Sequence, residues 1–288
     1  MTVPDAPSLP GLAVTGSTGG LGGMVARELS AAGSAQRLLV RDAGRSPELE
    51  GAVPLVFSYA DPALASQVLE GVKTLFMVSA AEAGDRLEQH FSFIDSAAAA
   101  GVQHVVYTSF YGAAPDATFT LARDHFATEE RIRATGMGFT FLRDNFYLDF
   151  LPYLAGEDGV IRGPAGDGMV SAVAREDIAR AAVTVLQDPA LHVGTTYNLT
   201  GPEEITLAQA AELLTKGTGR SVVYHPETVA EAYASRARFE APAWQVDAWV
   251  STYTAMAAGE MTGLSPDVRT LTGRQPLSLA EFLERPQL

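Results

Sequence analysis

Near its amino terminus the chain reads LAVTGSTGGLGG from Leu12 to Gly23, an apolar run followed at once by closely spaced glycines. The run is typical of a buried strand, and Gly23 to about Ala32 is typical of a helix. In the spacing G-x-x-G-x-x-G, Gly16 permits a tight turn, Gly19 lets a pyrophosphate approach the backbone, and Gly22 lets the helix pack closely. The stretch therefore predicts a dinucleotide site. The alternative is a turn of small residues with a structural purpose only.

Short apolar runs alternate with longer amphipathic ones along the following chain, which is typical of repeated βαβ units. The predicted strands are Leu12–Val14, Arg37–Val40, Val53–Phe57, Thr74–Val78, His104–Thr108, Gly138–Leu142 and Thr196–Leu199. The predicted helices are Gly23–Ala32, Pro62–Leu69, Arg86–Ala100, Thr120–Ala134 and Arg175–Leu186. This order predicts an α/β fold with a Rossmann-like, doubly wound parallel sheet.

Two parts are expected along the chain. Residues 1–150 form the nucleotide-binding domain, and later strands and helices, about 170–200, return to it. Residues 151–288 form mainly a smaller α/β part that binds substrate and covers the site. The stretch Glu227–Met261 contains both tryptophans and is the candidate lid, although aromatic residues at helical spacing are more often core.

Composition excludes several classes of function. The net charge of −14, from 34 acidic and 20 basic side chains, argues against a nucleic-acid partner. The 288 residues contain no cysteine, which excludes disulfides, a thiolate nucleophile and cysteine-ligated metal; no metal site is expected. No signal segment or membrane-length apolar run is visible, so we expect a soluble cytoplasmic protein without a membrane partner. A homodimer is left open.

The end of the second strand carries the residues that choose between NADP and NAD. Arg41 can pair with a 2′-phosphate through charged hydrogen bonds, whereas the Asp42 carboxylate, if it points inward, would accept from a free 2′-hydroxyl. We therefore expect NADP, with NAD as the alternative. After the third strand, Asp61 either accepts from the adenine amino group or caps the next helix.

The ends of the fourth and fifth strands supply the rest of the predicted site. Small residues around Ser79 leave room for a ribose and nicotinamide, while Thr108, Phe110 and Tyr111 bring a hydroxyl and aromatic faces to the crevice. On the following helix, His125 lies one turn before Glu129 and is either catalytic or structural.

These motifs resemble the atypical short-chain dehydrogenases of the NmrA-like group, and most closely its quinone oxidoreductase and triphenylmethane reductase branch. The resemblance covers nearly the whole chain. It is carried by Thr15–Gly22, Val40–Asp42, Ala60-Asp61, Val78-Ser79, Gly101-Val102, Tyr107–Ser109, the His125–Glu129 turn, Leu142–Tyr147 and Gly163–Gly168.

The resemblance implies roles for individual residues. It implies cofactor contacts at Gly16, Thr18, Gly19, Leu21, Gly22, Arg41, Asp61 and Ser79. It also implies that Thr108, His125 and Asn145 face the nicotinamide or its ribose as the catalytic group. The substrate pocket is expected at Phe110, Tyr111, Phe146 and Tyr147.

One departure from the wider superfamily bears on the reaction. Ordinary short-chain dehydrogenases carry Tyr-x-x-x-Lys on this helix, where this chain has Leu121 and His125. Without the tyrosine that protonates an alkoxide, a quinone is an easier acceptor than a simple ketone, because its reduced oxyanion is delocalised. We expect an NAD(P)H-dependent quinone or polycyclic aromatic reductase. The alternatives are a non-catalytic NAD(P)-binding redox sensor and a tailoring oxidoreductase or oxygenase of aromatic polyketide biosynthesis.

Overall fold

The computed structural model describes residues 9–285, which fold into two compact units. The first unit contains the described residues up to Thr108, together with Thr128–Phe141 and Ala179–Thr196. The second contains Ser109–Ala127, Leu142–Ile178 and the described residues from Tyr197 onward. Each unit encloses its own cluster of buried apolar side chains, as a compact folded body must.

The strands confirm the predicted α/β class. Their bounds are β1 Leu12–Thr15, β2 Gln36–Val40, β3 Ala52–Val56, β4 Thr74–Met77, β5 His104–Phe110, β6 Gly138–Asp144, β7 Val160–Gly163, β8 Met169–Val170, β9 Thr195–Leu199, β10 Ile205–Thr206 and β11 Val223–Pro226. Seven of them form one sheet in the order β3-β2-β1-β4-β5-β6-β9. The chain passes from β1 to β2 and β3 on one side and then to β4 on the other, so the topological switch point lies between β1 and β4.

Helices connect these strands, as predicted. Their bounds are α1 Gly20–Ala31, α2 Pro62–Leu69, α3 Arg86–Ala99, α4 Thr120–Ala134, α5 Leu151–Leu154, α6 Arg175–Gln187, α7 Leu207–Thr218, α8 Val229–Arg236, α9 Ala243–Ala257, α10 Asp267–Thr272 and α11 Leu279–Leu283. The observed α2 and α4 have the predicted bounds. In contrast, α1 begins at Gly20 rather than Gly23, because the glycine turn is already complete at its N-cap, Gly19.

Burial along the strands follows their places in the sheet. Every residue of β2 is buried, as expected for a strand with a neighbour on each side. At the sheet edge, β3 contains Pro54 and leaves Val56 half-exposed. Proline lacks a backbone donor and is tolerated at such an edge.

The second unit has small sheets and helices of four to fifteen residues. In it β7 pairs in parallel with β11, and β8 pairs antiparallel with β10. Capping boxes begin α7 at Thr206, α8 at Thr228 and α11 at Ser278, each with a partner side chain three residues later. The sequence patterns do not predict the shortest of these elements one by one, because two to five residues carry too little periodicity.

Candidate functional site

The glycine turn joins β1 to α1 in the first unit. Gly16 has φ +67°, in the left-handed region that glycine adopts without strain. A Cβ on Gly22 would lie 2.4 Å from the Gly16 carbonyl oxygen and 2.7 Å from that of Thr15, so α1 can start this close to β1 only with glycine there. A Cβ on Gly19 would meet only the Gly16 carbonyl oxygen, at 3.3 Å. The protein's own backbone therefore requires the first and third glycines, whereas a side chain at the second would meet a single backbone atom.

A dinucleotide pyrophosphate fits this turn. Because the N-cap Gly19 has no side chain, it gives the first amides of the twelve-residue α1 no side-chain acceptor. Amides at a helix start are a ready site for an anion. The Ser17 hydroxyl is buried in the same turn with no hydrogen-bond partner among residues 9–285. Thr18 is exposed, whereas the side chain of Leu21 is buried and leaves only its backbone for a ligand.

Beyond β2, Arg41 and Asp42 are both exposed. Asp42 Oδ1 accepts a hydrogen bond from the Gly44 N–H at 2.9 Å and so caps a 3-10 turn, Ala43–Arg45. The Asp42 carboxylate is therefore engaged with its own chain. The Arg41 guanidinium follows the strand directly, in the position expected for a cation that meets the adenosine ribose.

Asp61, which follows β3, caps the next helix, and this is one of the two roles predicted for it from the sequence. Its Oδ1 accepts from the Leu64 N–H at 3.0 Å, at the start of α2, where Pro62 occupies the first turn. This bond uses one of the two carboxylate oxygens. A contact between Asp61 and adenine stays a prediction.

The carboxyl ends of β1, β4 and β5 are joined by side-chain hydroxyls. The Ser79 N–H donates to Thr108 Oγ1 at 2.9 Å, and the Val78 N–H donates to Thr15 Oγ1 at 2.8 Å. A Cβ on Gly16 would lie 3.1 Å from the Val78 Cβ. The structure thus brings three of the predicted residues, Gly16, Ser79 and Thr108, to one edge of the first unit at the switch point.

In the second unit, His125 belongs to a group of rings. The centroids of His125 and Phe110 are 6.1 Å apart, and those of Phe110 and Phe119 are 4.9 Å apart, edge to face. His125 is nearly buried, and Phe110, Phe119 and Phe146 pack as partly buried residues against the apolar core of this unit. These rings offer flat apolar faces of the kind that a conjugated ligand contacts.

Two further predicted residues are engaged with the protein itself. Asn145 is buried, donates from Nδ2 to the Met261 carbonyl at 3.1 Å and accepts at Oδ1 from the Phe146 N–H at 2.7 Å. The Tyr111 hydroxyl donates to the Thr262 carbonyl at 2.7 Å. The roles of both residues in binding a ligand stay predictions.

At the end of β6 a tyrosine contacts a buried carboxyl group. The Tyr147 hydroxyl donates to Asp144 Oδ2 at 3.0 Å, and its ring stacks on Phe150, which is 45% exposed. Burial raises the pKa of Asp144 well above its ordinary value, and the bond from Tyr147 offsets only part of that shift. Asp144 Oδ1 has no hydrogen-bond partner among the described residues.

Sequence reasoning missed several polar residues in each of the two units. In the first unit they are Ser17, Tyr59 and His90, and in the second Asp144. Ser17 lies inside the glycine motif and Asp144 inside the Leu142–Tyr147 motif, so both had a signal in the sequence. Nothing local marks Tyr59 and His90, because their partners lie elsewhere in the chain.

The described residues form neither a metal site nor a membrane span. Within residues 9–285, no group of three or more His, Asp or Glu side chains is placed to hold a metal ion. No helix in that range is long and apolar enough to cross a membrane.

Known proteins resemble this chain over most of its length. The model of the NmrA-like family matches residues 11–239. Quinone oxidoreductase 2 of Escherichia coli (strain K12) is 33% identical over 279 residues, which cover 94% of this chain and 96% of that protein. The NAD(P)H azoreductase of Xenophilus azovorans is 31% identical over 274 residues, covering 93% and 95% of the two chains.

Solved structures agree with these similarities. The NADPH-dependent quinone oxidoreductase of Escherichia coli in complex with NADPH matches with a TM-score of 0.85 at 32% identity, over 94% of this chain and 98% of the other. The triphenylmethane reductase of Citrobacter sp. in complex with NADP(H) matches with a TM-score of 0.84 at 30% identity, over 95% and 99%.

Proposed function

Because this chain belongs to the NmrA-like family, we propose that it is an NADPH-dependent reductase that transfers a hydride to a quinone or a related polycyclic aromatic acceptor. The family match confirms the resemblance inferred from the motifs. One observation carries the proposal: the similarity spans almost the whole chain, and the relatives are named for quinones, azo compounds and triphenylmethane dyes. All three classes accept electrons into an extended π system.

NADP(H) is the proposed cofactor, and its dihydronicotinamide supplies the hydride when bound. The backbone at Gly19, which carries no side chain, and the amides at the start of α1 would hold the pyrophosphate. Arg41 would pair with the 2′-phosphate through charged hydrogen bonds. The bond between Asp42 and Gly44 supports NADP over NAD, because a carboxylate engaged in a turn is a poorer acceptor for a ribose hydroxyl.

The proposed acceptor class rests on two residues of α4. In this proposal Leu121 and His125 of α4 take the places of the tyrosine and lysine of ordinary short-chain dehydrogenases. A reduced quinone or dye spreads its charge over the ring system and can take its proton from water, so the protein has chiefly to orient the acceptor. In this proposal His125 holds the ribose or donates a proton. The residues that would contact the acceptor ring are Phe110, Tyr111, Phe146 and Tyr147.

The test is a substrate panel with both cofactors. Purified protein is mixed with NADPH or NADH and a benzoquinone, a naphthoquinone, an azo dye, a triphenylmethane dye or cyclohexanone, and loss of dihydronicotinamide absorbance is followed. We expect quinone turnover with NADPH and almost none with the isolated ketone. His125→Ala should lower quinone turnover by no more than about a hundredfold, the usual contribution of one acid or positioning group.

The other outcomes separate the alternatives. A protein that binds NADPH but reduces none of the acceptors would be a sensor of cofactor state. Turnover confined to an anthraquinone-like polycycle would indicate a tailoring enzyme. Reduction of cyclohexanone as fast as benzoquinone would mean that another side chain acts as the acid, and would contradict the acceptor class proposed here.

A further inference from the structure

His90, on α3, is a histidine that the proposed reaction does not use. It is completely buried, and both of its ring nitrogens are engaged. Nε2 lies 2.9 Å from the Ala80 backbone N–H, which can only donate, so Nε2 must be the acceptor. Nδ1 therefore carries the proton and donates to Thr128 Oγ1 at 2.9 Å. Burial, with a smaller contribution from the nearby Arg86, lowers the pKa of His90 to about 3, so the ring stays neutral at physiological pH.

The partner of His90 belongs to the segment Val78–Ala80, which follows β4. Side chains hold this segment at nearly every backbone group. These bonds join Val78 N–H to Thr15 Oγ1 at 2.8 Å, Tyr59 O–H to Val78 O at 2.6 Å, Ser79 N–H to Thr108 Oγ1 at 2.9 Å and Arg86 Nε–H to Ala80 O at 3.0 Å. The only amide of the segment that a titratable side chain holds is that of Ala80.

The position of this segment gives the contact a functional meaning. It leaves the sheet at the switch point between β1 and β4, where open α/β sheets bind their ligands. Val78 lies against Gly16 of the glycine turn. A small displacement of the segment would therefore move the surface on which a dinucleotide lies.

We propose that His90 is a positioning residue for NADP(H): its neutral ring, oriented by Thr128, holds the Ala80 amide and thereby fixes the segment Val78–Ala80 against the cofactor. The inference rests on the proposed cofactor. It assigns His90 no contact with NADP(H) or with the acceptor. His90 acts through the backbone that it holds.

The chain contains a matched control. His104 is also a nearly buried histidine of the first unit, with Nε2 2.9 Å from Thr140 Oγ1. It is the first residue of β5 and pairs with Thr74, the first residue of β4. It therefore lies at the amino ends of these strands, whereas the switch point lies at their carboxyl ends. Replacing either ring should destabilise the core, but only the ring of His90 should affect the cofactor.

The experiment compares His90→Phe, His90→Gln and His104→Phe with the unaltered protein, by NADPH fluorescence titration and melting temperature. His90→Phe should raise the Kd for NADPH about tenfold or more, because the part-buried Ala80 amide loses its acceptor. His90→Gln, which offers an acceptor and a donor, should stay within about threefold of the unaltered protein, and His104→Phe should change Kd less than that at a similar loss of melting temperature.

Thr128→Val supplies a second, milder variant that decides the matter if His90→Phe does not fold. It removes the hydroxyl that orients the ring, and it should weaken NADPH binding in the same direction. An unchanged Kd in His90→Phe or, failing that, in Thr128→Val would overturn the inference, as would equal weakening in His104→Phe. If the unaltered protein does not bind NADPH, the proposed function itself fails.

Discussion

Replacing Gly19 with valine should separate cofactor binding from folding. Gly19 has extended backbone angles, φ −99° and ψ −177°, which valine also adopts, and a Cβ there meets only one atom, at 3.3 Å. We therefore expect the free energy of unfolding to fall by no more than about 1 kcal/mol, the usual cost of a poor N-cap. The branched side chain would fill the space proposed for the pyrophosphate. Losing one or two charge-assisted hydrogen bonds, each worth about 1.5–3 kcal/mol, should raise the Kd for NADPH tenfold to several hundredfold or more.

The matched variant is Gly22→Ala, in the same motif. Its Cβ would lie 2.4 Å from the Gly16 carbonyl oxygen, about 1 Å closer than an ordinary contact, so α1 must move away from β1. Overpacking of this kind costs about 1–3 kcal/mol, which the better helix propensity of alanine offsets by at most about 1 kcal/mol.

Melting curves and NADPH titrations of both variants provide the test. We expect Gly19→Val to melt near the unaltered protein and to bind NADPH poorly, and Gly22→Ala to melt at a lower temperature. If folded Gly19→Val binds NADPH within threefold of the unaltered protein, the glycine turn is structural and the pyrophosphate lies elsewhere.

Three further predictions concern cofactor choice, pH and a buried ion pair. Arg41→Ala should weaken NADPH binding about tenfold to a hundredfold and leave NADH nearly unchanged, because only NADPH has the 2′-phosphate; equal weakening of both in parallel titrations would contradict the NADP assignment. The unfolded chain protonates His90 below about pH 6.5 while the folded protein, with its pKa near 3, does not, so stability falls as the pH drops through this range. Between pH 7.5 and 5.5 the free energy of unfolding should fall by about 1.4 kcal/mol because of His90, and urea unfolding should show this loss in the unaltered protein but not in His90→Gln. Identical losses in the two proteins would refute the low pKa assigned to His90. Arg236 Nη1 lies 2.9 Å from Glu227 Oε2, and both side chains are nearly buried. Arg236→Met should therefore lower the free energy of unfolding, measured in urea, by about 3–5 kcal/mol. Adding Glu227→Gln should recover part of that loss, and no recovery would contradict the importance of the pair.

The glycine turn and the alternating strands and helices were predictable because their signals are local. A buried strand needs a short apolar run, and the turn after β1 needs glycine at positions 16 and 22 whatever else the chain does. The seven predicted strands differ from the observed ones by at most two residues at either end. The family and the fold class followed from the same motifs.

Acidic residues at strand ends illustrate the limit of such reasoning. The sequence places Asp42 and Asp61 beside a predicted adenosine site, but it leaves open whether each carboxylate meets a ligand or its own backbone. The structure shows a cap in both cases, to Gly44 and to Leu64. Both partners are only two or three residues away, yet the direction of the chain after the strand decides whether a side chain can reach them.

Partners that are distant in sequence were decided by the tertiary structure alone. His90 meets Ala80 and Thr128 because α3 and α4 pack beside the end of β4, and no pattern around position 90 distinguishes it from an ordinary helix histidine. His125, which the sequence favoured for its place on α4, packs near Phe110 within the second unit, and its contact with the nicotinamide or its ribose stays a prediction. Sequence therefore determined the strands of the large sheet, the helices that connect them and the glycine turn, since those depend on neighbouring residues. Only the folded chain decided which polar side chains face one another, because hydrogen-bond partners are set by distance in space.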